Sequence, residues 1–259
     1  MRIITLNCFL SPWSFNRSRR LPLLVDALSI EKPDLILLQE VFFKSDANYI
    51  IKKLQETGLT HHWHSKTLLI LSKLPFGSKH FYDFTPKPKL NIPFYIIELL
   101  NYVYGKGFQV TELILNNEPM IVVNTHLLSV YGIDAGNFRS ARLKQVFNIL
   151  DKLSSLKSKR VILAGDFNFD INSPTYQALT NRHGFIDPLK NVPGNSISTN
   201  NLNRKFVTMV KMNQRIDHIF LKNLKNYRTF GKIVFNDPTQ DNGKTTHVSD
   251  HYGLLLDIE

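Results

Sequence analysis

Six apolar runs in this chain meet, at one end, residues that can move protons or hold ions. The first runs into Asn7. The second ends in Gln39-Glu40, the third in Asn124-Thr125-His126, and the fourth in Gly165-Asp166-Phe167-Asn168. The fifth opens on Ile216-Asp217-His218, and the last is preceded by Ser249-Asp250-His251. Glu40, Asp166, Asp217 and Asp250 are hard oxygen donors, and Asn7 and Asn168 add neutral amide groups. That set suits Mg²⁺ or Mn²⁺ rather than the thiolates of a structural zinc site. His126 and His251 add acid–base capacity near neutral pH. Together they fit hydrolysis of a phosphate ester, with a cation neutralising developing charge and a base activating water. Each residue alone has a plainer reading: a turn, a helix cap, a solvated strand end or a satisfied core histidine. The repetition of the pattern on strand ends is what favours a site, because strand ends in packed sheets converge where loops can build one.

The elements that must carry these residues alternate between strand and helix. Arg2–Leu6 reads as a strand. Arg19–Ser29 reads as a helix with Pro22 in its first turn and Leu24, Val25 and Leu28 on one face. Asp34–Val41 is a continuous apolar strand that should bury both faces. Ala47–Thr57 is a helix stopped by Gly58, and Thr67–Ser72 is a strand. Phe108–Leu115 and Met120–Asn124 form a hairpin turning at Asn116-Asn117. Arg139–Leu156 is an amphipathic helix with Leu143, Val146, Phe147, Leu150 and Leu153 on its apolar stripe. Arg160–Ala164, Ile216–Leu221, Gly231–Phe235 and Tyr252–Ile258 complete the strands. The order implies an α/β fold: a four-layered sandwich of two packed, mainly antiparallel sheets with helices on the outer faces.

The 259 residues, 43% hydrophobic and 20% charged, show no repeat, linker or composition break, so a single domain over 1–259 is expected. A monomer is expected as well. The lone cysteine, Cys8, excludes an intrachain disulfide and reads as a small buried residue. No apolar run approaches the ~20 residues of a spanning helix. No signal peptide opens the chain, so a cytoplasmic location is the default, with a trimmed leader or another secretion route left open. A net charge of +11 favours polyanions or anionic membrane surfaces. Basic residues concentrate at Arg17–Arg20, Lys152–Arg160 and Lys222–Arg228, and each cluster reads first as a solvated face.

The segments TLN (Thr5–Asn7), DLILLQEVF (Asp34–Phe42), NTHL (Asn124–Leu127), AGDFN (Ala164–Asn168), RIDHIFL (Arg215–Leu221) and SDHYGL (Ser249–Leu254) run in that order through the chain. In this the sequence resembles the endonuclease/exonuclease/phosphatase superfamily. The resemblance implies that Glu40 is the main metal ligand, with Asn7 beside it and Asp250 as a further carboxylate of the metal site. It implies that His251 is the general base and Asp217 the carboxylate orienting its ring. Asp166 would position the attacking water, Asn168 would contact the phosphate, and His126 would bind the phosphate or assist the leaving group. The reaction implied is an in-line displacement with no covalent enzyme intermediate.

Within the superfamily the sequence is most similar to neutral sphingomyelinases. Arg17–Arg20 precedes the first helix. Tyr104-Gly105-Lys106-Gly107-Phe108 resembles their lysine-glycine element, which makes Lys106 a substrate-binding candidate. Asn124–Leu127 is followed by Tyr131 and Arg139–Asn148. The chain departs from them at Leu128, where they have histidine. The apolar Ile92–Leu100, edged by Lys87, Lys89 and Lys106, suits a membrane interface or an ordinary core helix equally. Trp13, Phe15, Phe42 and Phe43 could cover an acyl chain or stack a base, or simply pack a rim. His61, His62 and His64 around Trp63 match no family segment and read as surface. A sphingomyelin-type phospholipid therefore stands first as substrate and a DNA or RNA phosphodiester second. A catalytically silent binding module on the same fold is the third reading.

Overall fold

The computed structural model describes residues 1–84, 105–115, 117–129, 135–203, 213–224 and 226–259. Ile92–Leu100, Lys87, Lys89, Tyr104, Asn116 and Tyr131 lie outside the described residues.

Two sheets face each other. One has the strand order β10-β13-β1-β2-β4-β3 and the other β5-β6-β7-β8-β9. In the first sheet these are β1 (Arg2–Leu10), β2 (Leu35–Val41), β3 (His61–Ser65), β4 (Leu68–Ser72), β10 (Thr229–Val234) and β13 (Gly253–Ile258). In the second they are β5 (Lys79–Asp83), β6 (Gly107–Leu115), β7 (Glu118–His126), β8 (Val161–Asp166) and β9 (Asp217–Lys222). A small hairpin, β11 (Thr239–Asp241) and β12 (Lys244–Thr246), stands apart. Each main sheet contains a single parallel pair, β1/β2 in one and β7/β8 in the other. A helix makes each parallel crossover, α1 (Arg17–Ile30) in the first half and α3 (Ala135–Ser154) in the second. The second helix along the chain, α2 (Lys44–Gln55), lies beside α1. A parallel pair ends both strands at one edge, and each antiparallel neighbour begins there. This topology is why polar residues at six separate strand ends can meet.

Burial follows the alternation of each strand. Ile3, Leu35, Leu37, Val122, Ile162, Ile219 and Leu254 fill the space between the sheets. Ile4, Leu6, Ile36 and Leu38 face outward onto Leu24 and Leu28 of α1 and Ile50 and Leu54 of α2. Val123, Leu163 and Phe220 face Val146, Ile149 and Leu153 of α3. The four-layered sandwich expected from the sequence is what the chain forms, and β2 is buried on both faces as its apolar run required. Cys8 is fully buried, and burial pushes its thiol far above the usual range.

Polar residues bridge the two sheets at the site end. Gln39 Nε2 on β2 donates to Asn124 Oδ1 on β7 at 2.8 Å and to Thr5 Oγ1 on β1 at 3.1 Å. Asn124 Nδ2 donates to the Leu38 carbonyl at 3.0 Å and to Gln109 Oε1 at 3.1 Å. Asn124 is bonded through both its oxygen and its nitrogen, whereas Gln39 is bonded only through Nε2 and leaves Oε1 without a hydrogen-bond partner. These buried amide bonds tie the two sheets together at defined positions.

Several elements differ from their sequence reading. Helix α1 begins at Arg17, because Asn16 turns the chain with φ 52°, so Pro22 falls inside the helix rather than in its first turn. Phe147 is 45% exposed and stacks edge-on against His183; Ile149, not Phe147, completes the buried stripe of α3. His61, His62 and His64 belong to the edge strand β3, and His64 Nε2 lies 2.9 Å from the Val41 carbonyl. Its polar HHWHS sequence carries no strand periodicity, and pairing with the apolar β4 supplies the order instead. Arg20, read as part of a basic cluster, is fully buried.

Gly165 shows how tightly β7 and β8 are drawn together. Its φ is +145°, and a Cβ there would stand 1.9 Å from the Thr125 carbonyl oxygen. We expect Gly165→Ala to destabilise the protein by roughly 3 kcal/mol or more, through strain and backbone collision. Chemical denaturation measures this; a loss under about 1 kcal/mol would contradict the geometry.

Candidate active site

The six strand ends meet at one edge of the sandwich. Register pairing sets part of the arrangement directly: His126 on β7 lies opposite Asp166 on β8, and Asp166 lies opposite Asp217 on β9. The facing sheet contributes Asn7 from β1, Glu40 from the end of β2, and Ser249–His251 leading into β13. Asn7, His126, Asp166, Asp217, Asp250, His251 and Lys106 are all buried, whereas Glu40 and Asn168 are half-buried.

His251 Nδ1 lies 2.8 Å from Asp217 Oδ2, a buried imidazole–carboxylate pair. Its other ring nitrogen, Nε2, faces Asp166 Oδ2 at 3.9 Å. Asn7 Nδ2 donates to Asp166 Oδ2 at 3.0 Å and to Glu40 Oε1 at 3.2 Å, while its Oδ1 accepts the Phe9 amide at 3.1 Å. The Asn7 amide thus links two carboxylates, and its oxygen is engaged by the backbone. His126 Nε2 lies 3.3 Å from Asp166 Oδ2. The Asn168 backbone N–H donates to Asp166 Oδ1 at 3.0 Å. Asn168 Nδ2 and Lys106 Nζ both donate to the Leu127 carbonyl at 3.2 Å. Glu40 adopts φ 57°, a left-handed conformation that strains a residue of its type, whereas Asn168 at φ 52° is of a type that tolerates it.

The electrostatics follow from burial and crowding. Burial lowers the His251 imidazole, but Asp217, Asp250 and Asp166 more than reverse this and hold it up to about 10. Burial raises the Asp217 carboxyl. The pair therefore keeps a proton at neutral pH in the ion-free protein, resident on the imidazole. Burial and then Asp250 push the Glu40 carboxyl up, against the pull of Lys106 and His251. Burial brings Lys106 down to about 8 despite Glu40 and Asp166 nearby. His126 is held well below its usual value, first by burial and then by Lys106, so it is neutral.

A stability prediction follows. His251, Asp217 and Glu40 all bind protons more tightly when folded, so each contributes stability that is lost as pH rises. Lys106 acts in the opposite sense only above about 8, and His126 only below its ordinary value near 6.5. Between roughly pH 6.5 and 8 the ion-free protein should therefore lose stability as pH rises. Melting in EDTA across that window tests it, and a rising or flat midpoint would count against the charge assignment.

A divalent cation suits these donors. Burial and the Asp250 carboxylate disfavour the charged form of Glu40, and a hard cation beside its oxygens would relieve that cost. Asp166, Asp217 and His251 also offer ligand atoms within 4.8 Å of one another. Because His251 and Asp217 already bond each other at 2.8 Å, a cation bound by both would break that pair. The Glu40 side is the better fit.

Other residues have parts that sequence reasoning did not reveal. Ser196 Oγ accepts the amides of Ile216 at 2.9 Å and Asp217 at 3.0 Å, and the Ser196 carbonyl accepts the Tyr252 amide at 2.7 Å. Ser249 Oγ donates to the Asn7 carbonyl at 2.5 Å and accepts the His251 amide at 3.2 Å. Asn201 and Asn203 both donate to the Ser249 carbonyl at 3.0 Å. Gln145 of α3 accepts the Leu128 amide at 2.9 Å, holding the chain just after His126. Nothing in their types or spacing signals these roles, which depend on neighbours remote in sequence. Of the aromatic residues near the site, Trp13 is 75% exposed, whereas Phe43 is half-buried beneath the Arg17 guanidinium at 3.9 Å.

This fold is that of a phosphate-ester hydrolase family. Residues 4–251 match the Endonuclease/Exonuclease/phosphatase family, and the chain belongs to it. Among curated proteins, Sphingomyelin phosphodiesterase 2 of Homo sapiens is 26% identical over 277 residues, covering 100% of this chain and 64% of that protein. The chain thus spans less than two thirds of that relative's length. Among solved structures, Sphingomyelinase C from Streptomyces griseocarneus superposes with a TM-score of 0.74 at 19% identity, over 99% of this chain and 98% of that one. D. rerio TDP2 complexed with single strand DNA product gives a TM-score of 0.72 at 18% identity, over 99% and 98%. No helix among the described residues is long and apolar enough to cross a membrane.

Proposed function

We propose that this protein is a Mg²⁺-dependent phosphodiesterase, with Mn²⁺ an effective substitute, and that its substrate is a sphingomyelin-type phospholipid. The reaction rests on one observation above all: the buried His251–Asp217 pair at 2.8 Å, whose free ring nitrogen faces the carboxylate cluster. Asp217 holds the His251 Nδ1 proton, which leaves Nε2 to accept a proton from water. Asp166, bonded to Asn7 and to the Asn168 amide, orients that water. Water oxygen bonds to phosphorus as the bond to the leaving oxygen breaks in line, and the departing alkoxide takes a proton from solvent to leave as the alcohol. Lys106, Asn168 and neutral His126 face the phosphate oxygens as hydrogen-bond donors. Glu40, with Asp250 near it, would hold the cation, which supplies charge neutralisation of the phosphate as the leaving oxygen develops.

The lipid is supported by the full-chain resemblance to Sphingomyelin phosphodiesterase 2. The test is release of phosphocholine from sphingomyelin vesicles with Mg²⁺, abolished by EDTA. A nuclease is the second reading, motivated by the net charge of +11. It requires nicking of plasmid DNA and binding that weakens steeply with salt. Nicking without phosphocholine release would replace the lipid by nucleic acid and keep the chemistry. A catalytically silent module is the third reading; it requires wild type to show neither activity, and it survives only if His251→Ala and Glu40→Ala leave all measured function untouched.

A further inference from the structure

Arg20 is the largest fully buried side chain among the described residues, and the chemistry above does not use it. It lies in the first turn of α1, and its guanidinium spreads over four backbone carbonyls. Nε donates to Phe15 at 2.9 Å, and Nη1 donates to Cys8 at 3.2 Å and to Val248 at 3.0 Å. Nη2 donates to the Phe9 carbonyl. The plane also sits 4.9 Å from the centre of the Phe9 ring.

These carbonyls belong to different parts of the site. Cys8 and Phe9 follow Asn7 on β1, and the Phe9 amide itself bonds Asn7 Oδ1. Val248 immediately precedes Ser249–Asp250–His251. Ser249 closes the same gap from the other side by bonding Asn7 and His251 at once. A buried cation is expensive to desolvate, so packing alone would be served better by methionine or leucine. What an apolar side chain cannot supply is a rigid planar set of donors that holds separate backbone segments at fixed spacing.

We propose that Arg20 is a positioning residue: it fixes the distance between the Asn7 end of β1 and the Asp250–His251 segment, and so sets the geometry in which the divalent ion is bound. This rests on the reading of the site as a cation-dependent phosphoesterase. Arg20 also stands within the field of Asp250 and then Glu40. That makes the sign of the effect informative. Removing a nearby positive charge by itself would tighten binding of a divalent cation. Weaker binding can therefore come only from lost spacing.

The experiment uses the whole chain as wild type, Arg20→Gln and Arg20→Lys. Folding is checked by circular dichroism and thermal melting. Mn²⁺ binding is measured by the free-ion paramagnetic resonance signal, with turnover of bis(p-nitrophenyl) phosphate in parallel. We expect Arg20→Gln to bind Mn²⁺ about tenfold more weakly, the scale typical of residues that orient metal ligands, and Arg20→Lys about threefold more weakly. A folded Arg20→Gln with unchanged or tighter Mn²⁺ binding overturns the proposal. If Arg20→Gln does not fold, Arg20→Lys decides alone, and a wild-type Mn²⁺ affinity in it overturns the proposal. Absence of Mn²⁺ binding by wild type would instead overturn the phosphoesterase reading, and the positioning role with it.

Discussion

Replacing His251 by alanine should lower kcat for phosphodiester hydrolysis by about 10²–10⁴-fold while divalent-ion binding persists. The imidazole is placed to take the water proton, with the Asp217 carboxylate bonded behind it at 2.8 Å. Removing it leaves water unactivated, but the oxygen donors on the Glu40 side remain. The pH profile carries the sign. The carboxylates around His251 hold its proton up to about 10 in the ion-free protein, so only the deprotonated fraction can serve as base. Turnover in the wild type should therefore rise with pH as the proton leaves, along a limb that a bound cation shifts to lower pH. The alanine variant should lack that limb. An ion-saturated variant retaining more than a tenth of wild-type kcat, or the same limb, would remove His251 from the chemistry.

Replacing Glu40 by glutamine should act on the ion instead. Losing one of the hard anionic donors should weaken Mg²⁺ or Mn²⁺ binding by about two orders of magnitude, because charge count sets affinity in oxygen-ligand sites. The same change should raise the melting temperature of the ion-free protein. Glu40 is pushed up by burial and by Asp250, so it is a source of unfavourable energy until a cation arrives. Gain of stability with loss of ion binding is the pattern expected where a site is built against the stability of the fold. Calorimetric titration with each ion, beside melting in EDTA, tests both halves. Unchanged ion affinity would move the ligand role away from Glu40.

The parts of this architecture readable from the sequence are those with short-range signatures. The apolar run Leu35–Val41 announced a strand buried on both faces, and the 3.6-residue stripe announced α3 with its Val146 and Leu153. The candidate residues could be picked out because acids, amides and imidazoles stood where apolar runs stopped. What the sequence hid depends on long-range partners. The strand His61–Ser65 has no alternation and exists by pairing with Leu68–Ser72. Arg20 looked like surface charge because nothing in the local pattern of α1 reports that four carbonyls from elsewhere surround it. Phe147 occupies a stripe position by periodicity, yet the helix is rotated so that Ile149 takes the buried place. Ser196 is similarly silent: its hydroxyl matters through two amides some 20 residues away.

One ladder of the second sheet has a further meaning. His126, Asp166 and Asp217 occupy successive rungs across β7, β8 and β9. A slip of β8 by one residue would put Gly165 or Phe167 on the middle rung and turn the acid to the other face. No partial version of the site survives such an error. The sheet is thus a ruler read by chemistry, and a chain mispaired by a single residue would still look folded by its secondary structure while being wholly inert. For this protein, specific activity per mole should be a finer gauge of correct assembly than any spectrum.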